Sequence, residues 1–382
     1  MREKVLYFVL LIPILLLMLY LHAQKVKPFE SFSLRFNDIN FDIQDKKPSD
    51  DVVFVAVDEP SVNRYGRWPW DRSKLALGID KLYEADVVLM DMIFSEETTH
   101  NEDMILGESL ANLNASVCGF FLRAEATQDI SESELEVLSD SALDLLQSQI
   151  AQNKNPIFTH APYAEMNILP IMHSCTLNGS FATLSSSDHL MRSYPIAVYF
   201  KNLLYPSLAI QGLRIKLNKD ISRLDATHVE IDKKEIPVDE KGFLRVNFYK
   251  PEQYNTISFL DVASGKIKPE YFKGKIVILG ITEVGSGDIV STPIGSIPGP
   301  LLHYTFISNY LQNHLIRESK YITPILIVLM VFLPFILVSL IRKVLYRVIL
   351  NILSYIIIFV IVRYLFVINM IYIDLFYPLL AL

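Results

Sequence analysis

Three stretches of this chain have the pattern of membrane-spanning helices. Val5–Leu21 (VLYFVLLIPILLLMLYL) carries no charge, Tyr321–Ile341 (YITPILIVLMVFLPFILVSLI) carries none, and Val348–Ile368 (VILNILSYIIIFVIVRYLFVI) carries Arg363 alone. A hydrocarbon layer of about 30 Å takes roughly 20 apolar residues as a helix, because no water is present there to satisfy an open backbone. Pro13, Pro324 and Pro334 interrupt these runs, which spanning helices tolerate. Composition agrees: the chain is 51% hydrophobic, and the excess sits at its two ends.

Basic residues set the expected orientation. Arg2 and Lys4 precede the first run, and Arg342, Lys343 and Arg347 fill the loop between the second and third. Lysine and arginine collect on the cytoplasmic side. Residues 1–24 therefore read as a cytoplasmic stub with an uncleaved anchor, 25–319 as a domain outside the cytoplasm, and 320–382 as C-terminal spans. Cleavage as a signal peptide fits poorly, since Leu21 stands where a small residue is needed. The apolar stretch Met370–Leu382 reads as the opening of a further, incomplete span, with a longer polypeptide expected beyond it. The expectation is a multi-pass protein of the cell's inner membrane, with the lipid bilayer as its first partner. A net charge of −7 and the absence of a Lys/Arg cluster argue against nucleic acid as another.

The exported part reads as an α/β domain with a mostly parallel sheet and an antiparallel appendage. DVVFVAVD (Asp51–Asp58), DVVLMDMIF (Asp86–Phe94), SVCGFFL (Ser116–Leu122) and GKIVILGI (Gly274–Ile281) are short β-branched runs of the kind buried on both faces. SKLALGIDKLYEA lies between the first two, with Leu75, Ile79, Leu82 and Tyr83 at helical spacing and Asp71 as its expected N-cap. That order implies a β-α-β unit with parallel strands. Further helices are expected over Glu102–Asn112, Glu132–Gln149, Ser207–Leu217 and Leu301–Leu311, with a nearly continuous helix from His303 to Lys320. HVEIDKKEIPV (His228–Val238) reads as an antiparallel hairpin. Cys118 and Cys175 are either a disulfide or two core thiols.

GRWPWDRS (residues 66–73) places the two tryptophans of the chain, Trp68 and Trp70, around a proline at a strand-to-helix bend. Such a bend is a packed corner or a stacking platform for a ligand. Arg67 and Arg72 suit an anion at the helix start, or ion pairs with Asp58, Glu59 or Glu96. Acidic residues gather at expected strand ends: Asp58, Glu59, Asp91 and Glu96. Asp288 and His303 follow another strand. In open α/β sheets that edge binds ligands. Carboxylates with one histidine suit a divalent cation, a ligand, acid–base hydrolysis, or plain capping and ion pairs. GITEVGSGD (Gly280–Asp288) lacks the lysine of a phosphate-binding loop and the spacing of a dinucleotide fingerprint, so no cofactor is expected, and it reads as a lid.

VVFVAVDEPSVNRYGRWPWDRSKLALGIDKLYEADVVLMDMIFSE resembles the opening of the second type of CHASE domain (cyclases/histidine kinases associated sensory extracellular). The carrying features are Asp58–Glu59, Gly66–Arg72 and Asp91–Phe94. FKGKIVILGITEVGSGDIVSTPIGSIPGPLLHYTFISNYL is similar to the family's closing segment through Asp288, Thr292–Pro293, Pro298–Gly299 and His303, and LMRSYPIAVYFKNLLYPSLAIQ to its middle strand pair. The resemblance implies a sensor of an unknown small-molecule or protein signal, working as a homodimer. It also implies an output module beyond the membrane helices, such as a cyclase or kinase, so the residues present are not themselves expected to be an enzyme. The competing expectation is an outward-facing hydrolase using Asp58, Asp91, Asp288 and His303.

Overall fold

The computed structural model describes residues 2–42, 46–123, 125, 130–143, 158–160, 162–181, 188–224, 228–282 and 288–381. The chain forms two compact units: residues 46–185 with 191–315, and residues 1–45 with 186–190 and 316–382.

The second of these begins with α1 (Arg2–Gln24) and α2 (Lys27–Asp42). Val9–Gln24 and Lys27–Phe41 together have the length and composition of one broken span, bent by 80°.

The other unit is built on a sheet. Its elements begin with β1 (Val52–Val57), α3 (Glu59–Tyr65), α4 (Arg72–Ile79), β2 (Val87–Asp91), α5 (His100–Ala111) and β3 (Ser116–Arg123). Next come α6 (Glu132–Ser139), β4 (Thr159–His160), β5 (Tyr163–Glu165), α7 (Leu169–Ser174) and β6 (Leu177–Ser180). β7 (Ser193–Pro195), β8 (Ala197–Phe200), β9 (Leu203–Pro206) and α8 (Leu208–Leu217) follow. β10 (Ile221–Leu224), β11 (His228–Ile231), β12 (Lys234–Pro237) and β13 (Phe243–Arg245) are antiparallel accessories. The unit closes with β14 (Thr256–Ser258), α9 (Phe259–Ala263), β15 (Ile276–Ile281), the hairpin β16 (Ile289–Thr292)–β17 (Gly295–Pro298), and α10 (Pro300–Leu311).

The main sheet runs β14-β1-β15-β2-β3-β6 with every neighbour parallel, and β5 adds antiparallel to the end of β3. All six residues of β1 are buried, which explains its unbroken apolar run. Val53, Val55 and Val57 share one core cluster with Leu75, Leu106, Ile171 and Phe259, so α4, α5, α7 and α9 cover that face. α8 and α10 cover the other, where Leu89 meets Gly212 and Phe54 lies beside Gly280 and Pro300. Each fully buried Val, Leu or Ile side chain stabilises the fold by about 1.5–3 kcal/mol. The four expected strands and the 228–238 hairpin are all present. Of the helix expected over Glu132–Gln149, the part from 144 onward lies outside the described residues.

β1 and β2 are parallel, as the β-α-β order implies, and β15 lies between them, pairing Val52 with Ile276 and Val87 with Ile276. Two expectations are corrected. The helix from His303 stops at Leu311, because Gln312 closes it and Asn313 turns left-handed at φ +59°. Asp71 occupies the N-cap of α4 without a side-chain bond to the helix, pairing instead with Lys74 at 2.9 Å. Cys118 and Cys175 form a disulfide from β3 to the residue after α7.

The remaining elements belong with α1 and α2: β18 (Arg317–Glu318), α11 (Ile322–Leu340), α12 (Val344–Asn369), β19 (Ile371–Tyr372) and α13 (Phe376–Leu380). α11 and α12 are each long and apolar enough to cross a membrane, with mean hydropathies of 2.7 and 2.4. Met370–Leu382 does not continue as one long helix. Asp374 interrupts it, accepting from Ser33 Oγ at 2.5 Å and Asn37 Nδ2 at 2.9 Å, and capping the start of α13 through Phe376 N–H at 2.9 Å. Arg363 donates to Asn40 Oδ1 at 2.5 Å, so this charge on α12 is tied to α2.

The disulfide bridges a sequence separation of 57 residues. Replacing both cysteines by serine should remove about 4 kcal/mol of stability through loss of the loop constraint. Denaturant titration of the full chain in detergent, against the oxidised parent, checks this.

Candidate functional site

The parallel register places Ala56, Gly280 and Asp91 level with one another at the carboxyl edge of the sheet. Gly280 has no side chain, and this is what lets α10 come down onto the strands. A Cβ there would stand 2.4 Å from Pro300 Cγ. Pro300 opens α10, and one turn later His303 points at the edge. Its Nε2 lies 3.5 Å from Asp91 Oδ2, and its Nδ1 lies 2.6 Å from the Tyr194 hydroxyl.

Tyr194 comes from β7, outside the main sheet, and its ring stacks on Phe306 of α10 at 4.7 Å. Its hydroxyl accepts from the Ala209 N–H of α8 at 3.2 Å. Burial pushes the phenol up, so the hydroxyl stays protonated. It meets the imidazole at Nδ1, which leaves Nε2 as the nitrogen that faces Asp91. Burial raises Asp91 to about 8, reinforced by the Asp288 carboxylate, while burial lowers His303 to about 3. The pair therefore holds one acidic proton at neutral pH, and burial puts it on the carboxyl.

Asp288 sits just before the β16–β17 hairpin. Its carbonyl accepts from the Gly299 N–H at 2.7 Å. A Cβ on Gly299 would stand 2.8 Å from Asp288 Oδ2, so that glycine admits the carboxylate to the start of α10. There the open N–H groups favour negative charge. Trp68, Asp91, Asp288 and His303 line one cavity of about 220 Å3, with Phe121, Phe181, Met191, Tyr194 and Leu302 among its apolar walls.

The other six sequence-marked residues lie elsewhere. Asp58 caps α3, accepting from Ser61 N–H at 3.1 Å, from Ser61 Oγ at 2.5 Å and from Ser258 Oγ at 2.8 Å. This removes it from the hydrolase set. Glu59, Arg67 and Glu96 are exposed. Trp70 is core: its indole N–H donates to Gly66 O at 2.6 Å and its ring packs on Tyr65 and Phe259. The tryptophan corner thus divides, with Trp70 packed and Trp68 left at the cavity, 5.6 Å from Trp70 between ring centres.

Arg72 is buried and meets no anion-binding surface. It bonds Asp103 Oδ1 at 3.3 Å and the Glu96 main-chain carbonyl at 2.9 Å, and lies 4.3 Å over the Phe94 ring. Burial pushes the Asp103 carboxyl up, but Thr98 N–H and Oγ1 and the Arg72 guanidinium outweigh it and hold it below the usual range. Among the described residues no group of three or more His, Cys, Asp or Glu side chains is placed to hold a metal ion. Of the stretch Gly280–Asp288 expected as a lid, residues 283–287 lie outside the described residues.

Sequence reasoning missed Tyr194 and Asp103. Tyr194 sits inside an apolar strand run, where a tyrosine is ordinary. Asp103 looks like one more first-turn acid of α5. Nothing local marks either.

A three-layer α/β domain with a cavity at its carboxyl edge, on a chain carrying membrane-length apolar helices, has the make-up of a membrane protein. The CHASE2 domain family matches residues 10–342, most of the chain, and the protein belongs to that family. The family is one of sensory extracellular domains rather than of enzymes. No curated protein and no solved structure matches the chain.

Two outcomes follow. Gly280→Ala should push Pro300 off the sheet, costing about 1–3 kcal/mol and weakening the His303–Tyr194 contact; the first is read by denaturation, the second by the imidazole NMR shifts. Asp103→Ala should cost about 3–5 kcal/mol by stranding Arg72 in the interior. Because the folded Asp103 is depressed, its contribution is complete above about pH 4 and is lost as pH falls through the folded value; a parent-minus-variant stability curve from pH 7 to 3 checks the sign.

Proposed function

We propose that this chain is a membrane-anchored sensor whose domain of residues 25–319 lies outside the cytoplasm, with residues 1–24 and 320–382 holding it in the inner membrane. The observation that supports this best is the cavity bearing Asp91 and His303, in a member of a sensory family. A carboxyl–imidazole pair at the cavity, with the imidazole oriented by Tyr194, is an element that a bound signal can bias. His303 rides on α10, and the same stretch of chain runs on through residues 312–321 into α11. Occupation of the cavity passes along that covalent path to a cytoplasmic output such as a cyclase or kinase, in a homodimer. The basic residues 342, 343 and 347 favour a cytoplasmic loop between α11 and α12.

The β8–β9 turn at Lys201–Asn202 is exposed and suits a reporter insertion. A phosphatase reporter there should be active, and one at Lys343 inactive; the reverse pattern removes the orientation. For signalling, an adenylate cyclase module joined after Leu382 through one added membrane-spanning helix, which returns the chain to the cytoplasm, should change its basal output about fivefold, as an order-of-magnitude expectation for a coupling of about 1 kcal/mol, when His303 is replaced by Gln. Equal output from parent and His303→Gln, at equal membrane abundance, would contradict the sensor.

A further inference from the structure

The cavity has a chemical polarity that its family membership does not supply. Two carboxyl groups, Asp91 and Asp288, line it, and no lysine or arginine does among the described residues. The single cationic candidate, His303, is held neutral by burial. Among the described residues the Asp91 carboxyl makes no hydrogen bond of ordinary length: its nearest partner is His303 Nε2 at 3.5 Å, and its side chain is 15% exposed. The His303 side chain is 8% exposed, and its Nε2 is likewise without a bond of ordinary length on that side. Both side chains line the cavity, where a ligand can supply the missing partner. Apolar and aromatic walls supply the remainder, and the half-buried Trp68 offers an indole to the space.

We propose that this cavity binds a small organic ammonium ion, an apolar body bearing a protonated amine, with Asp91 and Asp288 as its anionic partners and Trp68 against it; this rests on the sensor reading. An anion meets two carboxyl groups and no cation. An inorganic cation finds no third protein ligand among the described residues. A neutral apolar molecule leaves Asp91 and Asp288 unpaired. An ammonium supplies three donors and a charge to both carboxyl groups, and an indole face adds cation–π attraction. The volume of about 220 Å3 lies below the usual range for drug-sized ligands, so the body is small.

Binding also moves a proton. The groups facing Asp91 are Asp288 from the β16–β17 segment, His303 from α10 and, behind the imidazole, Tyr194 from β7. With Asp91 held protonated up to about pH 8, the step is RNH3+ plus Asp91–COOH giving Asp91–COO− paired with RNH3+, and one H+ to solvent. The amine keeps its own protons, and no bond other than Asp91 O–H breaks.

The test uses the full chain in lipid nanodiscs and calorimetric titration with a graded series from methylammonium to benzylammonium, each beside its matched alcohol and carboxylate. At least one ammonium should bind, at least tenfold tighter than its alcohol and carboxylate. Its affinity should fall about tenfold or more from pH 8 to pH 6, and titration in two buffers of different ionisation heat should show about one proton released at pH 7. Asp288→Asn, at the exposed rim, should weaken it at least tenfold, while the free protein still unfolds in one cooperative transition. Asp91→Asn should abolish the proton release. Binding of none of the ammonium ions, or equal binding of the alcohols, or affinity unchanged in Asp288→Asn, overturns the assignment. Tighter binding of the carboxylates or alcohols overturns the ammonium class while leaving a ligand-binding sensor. Ammonium binding without any change in a fused cyclase output leaves the site and removes the sensor.

Discussion

The close approach of Pro300 to Gly280 is the contact on which the site depends. A parallel sheet covered on both faces leaves its strand ends as the natural place for a pocket. Only a residue without a side chain at position 280 lets α10 descend far enough to bring His303 within reach of Asp91. Tyr194 then fixes which imidazole nitrogen faces the carboxyl. Gly299 performs the same service for Asp288 one helical turn earlier. Two glycines thus set the positions of the two acids relative to one helix.

That helix is itself held firmly at its far end. Asn309 accepts from the Asn247 N–H at 2.8 Å and donates to the Asn247 carbonyl at 2.9 Å, a reciprocal pair in the core. Tyr310 donates to the Ile231 carbonyl at 2.8 Å, which ties the hairpin β11–β12 to the same turn. Buried, fully bonded amides of this kind fix geometry as much as they add stability. α10 is therefore anchored by polar contacts at its end and seated by shape at its start. In the unit holding the apolar helices, Asp374 and Arg363 act similarly: each bonds polar residues of α2, Ser33 and Asn37 in one case and Asn40 in the other.

Much of the fold was legible because it follows periodicity. Runs such as VVFVAV and IVILGI are apolar throughout, and only strands buried on both faces need that pattern. The apolar helices declare themselves by length alone. What periodicity could not show is order in space. Nothing in Ile276–Ile281 says that it enters between β1 and β2, and nothing in the sequence of α10 says that Asn313 ends it. The site was half legible. Asp91, Asp288, His303 and Trp68 follow strands or bends and were identifiable as edge residues. Asp58 has the same local signature but is spent on Ser61 and Ser258, a choice settled by residues far away in sequence. Arg72 found Asp103 for the same reason, and Tyr194 reached His303 through tertiary packing alone.

The insertion of β15 between β1 and β2 has a consequence for biogenesis. Ile276 follows Asp91 by 185 positions (276 − 91), so the central pairings join distant parts of the chain. While the polypeptide emerges, β1 and β2 each present an unsatisfied edge until the late strand arrives, and such long-range closure is slow and prone to wrong partners. The late arrival of β15, which pairs with β1 on one side and β2 on the other, is thus the event that closes the sheet.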